Sequence, residues 1–190
     1  VYAVLSISEG GLGFSKESVG VLKSVIQPLL YILPILSGAI ADRFGYRKTL
    51  MFAFTVMSAG YFLTSMATSY YLVFASMILM VLGAGTFKPI ISGTIARSTT
   101  EKNSTVGFGI FYWSINLGAF IFPLILVPIL KDISWSYIFV MAAVGTGWLL
   151  FLNIFMYKEP EKPKSSKSLG EVLTGAVMVL KDFRFIIMIV

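Results

Sequence analysis

Cysteine and histidine are both absent, and charged residues make up only 13% of the 190 positions. The first absence excludes disulfide frameworks and thiol nucleophiles, and the second excludes imidazole proton shuttles. Together they leave no cysteine- or histidine-ligated metal site. An average soluble domain is about 25% charged, whereas 57% of this chain is hydrophobic. No soluble fold of this size hides so much apolar side chain, so the expected class is an all-α integral membrane protein with the lipid bilayer as its solvent. Acids are the scarcer charges, with 9 Asp and Glu against 15 Lys and Arg. In a soluble protein that excess suggests nucleic acid; here it reads as loop charge, and no nucleic-acid partner is expected.

What is present is a series of apolar runs divided by polar punctuation. Residues 1–8 are too short to span a bilayer and read as the tail of a first helix, followed by a Gly-rich loop over 9–18. The chain is therefore expected to be an internal fragment with its first helix truncated. Full spans are predicted over Val19–Ala41, Thr49–Ala67, Tyr71–Ala96, Val106–Leu130 and Tyr137–Tyr157. Each is close to the roughly 20 residues needed to cross the hydrocarbon, and helix is the only non-barrel solution there. This gives a transmembrane bundle over residues 1–157. A charged, Pro/Ser-rich linker follows over 158–168. The apolar spacing of 169–190 predicts a short interfacial helix leading into a seventh span.

Basic residues set the orientation. With the loop 42–48 on the cytoplasmic side, that side also holds Arg97, Lys102, the four lysines of the linker, Lys181 and Arg184, whereas the other holds Lys16, Lys23 and Lys131. This positive-inside bias places the loop and the linker in the cytoplasm and the chain in the cell membrane. Lys88 belongs to neither side. It precedes Pro89 in "LGAGTFKPIISG", residues 82–93, about 13 Å inside the helix end when counted back from Arg97. The bland reading is a lysine snorkelling to the interface. The sharper reading is a cavity-facing cation that binds a carboxylate, from a substrate or from a glutamate on the preceding helix. Gly83, Gly85 and Pro89 suit a helix that bends or is closely approached there.

Two further pairs stand one helical turn apart and share a face: Gln27 with Tyr31, and Tyr112 with Asn116. Asparagine offers a peptide both a donor and an acceptor; an ordinary hydrogen bond between helices is the alternative. The candidate substrate-binding residues are thus Gln27, Tyr31, Lys88, Tyr112 and Asn116. No catalytic residue, metal ligand or cofactor is predicted. The spans hold no carboxylate away from the cytoplasmic edge, so a membrane-embedded enzyme would lack an acid–base pair.

The loop after the first full span reads Gly38-x-x-x-Asp42-Arg43-x-Gly45-x-Arg47-Lys48. Gly38 is expected to let helices pack closely, and Gly45 to permit a tight turn. Asp42 balances Arg43, Arg47 and Lys48 in a charge cluster able to engage helix ends and exchange partners. The alternative is a plain positive-inside loop, which leaves the acid and the glycine spacing unexplained. This stretch resembles the signature loop of the major facilitator superfamily. The resemblance covers essentially the whole chain and implies the N-terminal six-helix bundle of such a transporter. It also implies alternating access between two bundles, with the loop steadying one state.

Phe108-x-x-Phe111-Tyr112-Trp113-x-Ile115-Asn116-Leu117-Gly118-Ala119-Phe120 is similar to a signature of the proton-dependent oligopeptide transporters. That family also carries Lys-Pro on its fourth helix, as at Lys88-Pro89, and Tyr-x-x-Pro with a following Gly and Asp, as at Tyr31, Pro34, Gly38 and Asp42. The resemblance implies a proton-coupled di/tripeptide symporter driven by the proton gradient, with Tyr31, Lys88 and Asn116 around the peptide and the protein acting as a monomer. Two departures stand beside it. The stretch "DRFG" is one residue shorter between Asp and Gly than is usual there, and Ser37 stands where a small Gly or Ala is typical. The family's helix-1 Glu-x-x-Glu-Arg motif would precede Val1. The alternatives are a superfamily transporter of a sugar, drug or organic anion, possibly an antiporter, and a non-transporting sensor with the same fold.

Overall fold

The computed structural model describes residues 3–4, 11–160, 170, 171 and 174. Most of the first-helix tail, most of the linker and most of the interfacial helix expected over 169–190 lie outside the described residues; Gly170, Glu171 and Thr174 are helical. Within the described residues the fold is α1 (Lys16–Phe44), α2 (Tyr46–Met66), α3 (Tyr70–Ser98), α4 (Ser104–Ile121), a π-helical turn (Phe122–Leu126), α5 (Val127–Ile133) and α6 (Trp135–Met156). Counting Ser104–Ile133 as one run, five helices are long and apolar enough to cross a membrane.

Local chemistry starts these helices where small hydroxyls precede apolar runs. The Ser15, Ser69 and Ser134 side chains accept from the backbone N–H groups of Ser18, Leu72 and Ser136. The boundaries correct two expectations. α1 begins inside the predicted 9–18 loop, and it runs through Asp42 and Arg43 to Phe44. Nothing in "ADRF" opposes a helix, so the chain breaks only at Gly45, whose φ of +101° L side chains rarely adopt. The expected seven-residue loop is one glycine. The fifth span is also not a uniform helix. Pro123 and Pro128 each remove an N–H from the ladder, and the Val127 N–H reaches back five residues to the Phe122 carbonyl.

α2 is the central helix, packed on α3 and on α6, while α1 packs on α3. Close approach is made at glycines. A Cβ built on Gly83 would stand 2.6 Å from the Ala53 carbonyl oxygen of α2, and one on Gly85 would stand 2.7 Å from Leu33 Cβ of α1. Gly60 returns the contact from α2, against Met80 of α3. Gly38 does not behave as expected: a Cβ there meets nothing within 4 Å among the described residues. It lies on a face of α1 that neither α2 nor α3 covers.

Apolar packing is divided between the two ends of this core. Ala41, Tyr46, Leu50, Phe54, Met57 and Ile90 form one cluster, and Leu22, Ile26, Ala67, Val73 and Val81 the other. Buried hydroxyls between helices are paired, as at Thr64 with Ser76 (2.8 Å) and Ser58 with the Ala143 carbonyl (2.8 Å). Such bonds matter where no water is at hand to replace them. α4 stands apart. It has no buried residue and meets α3 only near its start, where Gly107 lies against Thr99 and Ile95.

Candidate functional site

The most fully built polar constellation surrounds Gly45. α2 begins immediately after this glycine with no side-chain cap and no acid in its first turn. Arg47 and Lys48 stand there instead, opposed to the positive end of the helix dipole. The missing negative charge comes from the far end of the bundle. Glu159, three residues past α6, accepts from the backbone N–H groups of Tyr46 and Arg47, the latter at 2.9 Å. A Cβ on Gly45 would approach the Glu159 carboxylate to 3.1 Å. Glycine is therefore favoured at this position by its φ, and a side chain there would also crowd Glu159.

Asp42, in the last turn of α1, has a different partner from the expected ones. Its Oδ1 accepts from Arg97 Nη2 of α3 at 2.9 Å and from the Tyr46 hydroxyl at 3.0 Å. The Arg97 guanidinium also lies 4.9 Å from the Tyr46 ring centroid, in cation–π range. Arg43, Arg47 and Lys48 do not pair with Asp42. Arg43 lies over the Phe44 ring, and the Arg47 guanidinium turns to α6, where it donates to the Ile154 carbonyl. Asn153 Nδ2 donates in return to the Arg47 carbonyl at 3.1 Å. Arg47 Nε and Asn153 Oδ1 are buried in this contact without partners among the described residues. The Tyr157 hydroxyl is 2.6 Å from Thr94 Oγ1. Burial pushes the Tyr157 phenol up, the Thr94 hydrogen bond pulls it down and the nearby Glu159 charge pushes it up, so the net shift is upward. Tyr157 therefore stays a neutral hydroxyl at physiological pH.

The mid-span candidates are placed less compactly. Gln27 and Tyr31 lie on α1 with their side chains exposed, Tyr31 at 70%. Lys88 on α3 is also exposed, one turn beyond the Gly85–Leu33 contact that joins α1 to α3. Tyr31 stands two residues before Leu33 on α1, and Lys88 three residues after Gly85 on α3. No hydrogen bond or ion pair reaches Lys88 among the described residues. Tyr112 and Asn116 are exposed on α4, which makes no substantial packing with α1. Among the described residues no hydrogen bond or ion pair joins the α1, α3 and α4 candidates to one another.

Sequence reasoning missed Arg97, Tyr46, Asn153 and Glu159 as members of the constellation around Gly45. One signal was available: a helix start with two cations, no acid and no capping side chain calls for an outside carboxylate. Nothing in the spacing pointed to Asn153 or to the Asp42–Arg97 pair.

Known proteins similar to this chain are membrane transporters. The family model for the Major Facilitator Superfamily matches residues 2–189. A di-/tripeptide transporter of Lactococcus lactis subsp. lactis is 28% identical over 95% of this chain and 38% of its own length. Dipeptide and tripeptide permease B of Salmonella typhimurium is 28% identical over 89% of this chain and 37% of its own. A crystal structure of peptide transporter POT in complex with sulfate superposes with a TM-score of 0.77 at 26% identity, covering 94% of this chain and 38% of that one. A POT family transporter in complex with 5-aminolevulinic acid gives 0.76 at 28% identity, covering 99% and 40%. The chain thus spans well under half the length of these relatives, and the resemblance to peptide transporters runs through nearly all of it. By its matching family model and its helical architecture, the chain belongs to the major facilitator superfamily.

Proposed function

We propose that the protein to which this chain belongs is a proton-coupled di/tripeptide symporter working by alternating access, with residues 42–48 and the 158–168 linker on the cytoplasmic side. The observation that carries this reading is Lys88. It is a single cation midway along α3, exposed beside the α1 crossing and unpaired among the described residues. A charge at that depth costs roughly 2.5–3.5 kcal/mol on insertion scales unless it faces a polar cavity. The substrate carboxylate supplies its partner through a charge-assisted hydrogen bond. Tyr31 and Gln27 line the same cavity from α1, and Tyr112 and Asn116 face it from α4 in the complete transporter. Similarity to transporters named for dipeptides and tripeptides, and to a structure in complex with 5-aminolevulinic acid, supports a small substrate with a free carboxylate. The chemistry is transport without covalent catalysis or a bound cofactor, and the driving force is the proton gradient.

The test is proton-driven uptake of a labelled dipeptide and of its C-terminally amidated analogue by the full-length protein. Lys88→Ala should lose most uptake of the free-acid peptide and much less of the amide. Lys88→Arg should be nearly as impaired, because a planar fork does not fit a partner geometry set for a compact ammonium. Equal transport of both ligands by wild type and Lys88→Ala would reduce Lys88 to a snorkelling lysine. Transport of some other solute but neither peptide would leave a superfamily transporter of a different specificity.

A further inference from the structure

The Glu159 carboxylate, the uncapped start of α2 and the α2–α6 contact meet at one point. From this we infer that Glu159 is a positioning residue of the transport cycle: it latches the start of the linker onto Gly45, which acts as a hinge between α1 and α2, so that this hinge and the start of the linker move as one body. Three independent observations converge on this. α2 has no capping side chain and no acid of its own, and Glu159 takes two of its free N–H groups. Gly45 has a positive φ, and its missing side chain leaves the room in which the carboxylate sits. Behind that seat, the Arg47 guanidinium donates to the Ile154 carbonyl of α6, and Asn153 Nδ2 of α6 donates to the Arg47 carbonyl of α2. Glu159 is therefore held against the turn between α1 and α2 and does not hang from a free helix end.

The consequence lies in the cycle more than in the fold. Glu159 is exposed, so its removal deletes no core packing and uncovers no buried charge. It leaves the first N–H groups of α2 to water and frees the linker from the hinge. A rocking motion that has to carry the linker with it then loses its coupling, while the distant substrate residues on α1 and α3 are untouched. Maximal rate should fall and substrate affinity should hold.

The inference rests on the transport reading for one arm of its test and not for the other. The first arm is backbone hydrogen exchange on the full-length protein, read at the amides of Tyr46 and Arg47. First-turn amides ordinarily exchange freely, so protection in the wild type reports the Glu159 contact directly. Glu159→Ala should speed exchange at both amides by about fivefold, the size expected for losing one helix cap. Glu159→Gln, isosteric and neutral with one acceptor left, should fall between and serves if the alanine variant does not accumulate. The second arm is peptide uptake, where Glu159→Ala should lower the maximal rate several-fold and leave KM within about twofold. Unchanged exchange at Tyr46 and Arg47 would overturn the latch. Faster exchange with an unchanged maximal rate would overturn its role in the cycle. If the wild type carries no peptide, the transport reading fails by itself, and the exchange arm still decides the latch.

Discussion

Asp42 on α1 and Arg97 on α3 are joined at 2.9 Å through the same carboxylate oxygen that takes the Tyr46 hydroxyl. The pair ties the ends of two helices whose intervening helix, α2, begins between them. Both side chains are partly exposed, at 33% and 27%. Water and salt therefore compete with the bond, and it adds little to stability. It holds the last turn of α1 beside the last turn of α3.

Asp42→Asn is predicted to change thermal stability by about 1 kcal/mol or less, the ordinary worth of an exposed pair. Membrane insertion should be normal. Transport should fall several-fold, because a small change in the balance of two conformations moves their populations strongly. Uptake normalised to surface expression measures this, and wild-type uptake by the variant would show that the pair only orients the helix ends.

Gly45→Ala and Gly38→Ala should have opposite outcomes although both glycines belong to the same loop motif. At Gly45 the φ of +101° and the 3.1 Å approach of Glu159 both act against a methyl group. A loss of roughly 1–2 kcal/mol follows from the left-handed backbone alone. At Gly38 the added Cβ enters open space within an α-helix, where alanine is favoured over glycine by about 0.5–1 kcal/mol. Thermal unfolding of the two purified variants gives the comparison. A destabilised Gly38→Ala would mean that this face of α1 packs against a surface beyond the described residues.

The orientation is open to a direct assay, since the chain has no native cysteine to confuse labelling. Cysteines at Lys48 and Lys102 should be shielded from a membrane-impermeant thiol reagent in intact cells, and one at Gly11 should react. Labelling of Lys48→Cys from outside would invert the topology.

How much of this was legible beforehand differs from element to element. The spans followed from apolar length and charge alone: every predicted run from Val19 to Tyr157 lies in or beside a membrane-length helix. A hydrocarbon environment acts on each segment separately, through its own composition and its own backbone hydrogen bonds. The break at Gly45 was also legible, because a glycine amid helix-compatible neighbours is a local conformational statement. The need of α2 for an outside acid was half legible, written in the two cations of its first turn.

What the tertiary structure decided are the partners. Asp42 has three cations close by in sequence, yet it pairs with Arg97, 55 residues away. Arg47 turns to α6 instead, and Glu159 reaches α2 from 112 residues further along the chain. Gly83 and Gly85 lie at close crossings while Gly38 lies in the open. All three look alike as glycines within apolar helices. Sequence determines which segments become helices in a bilayer, because that is settled segment by segment. Which side chains meet depends on how the helices cross and rotate against one another, and only the packed bundle determines that.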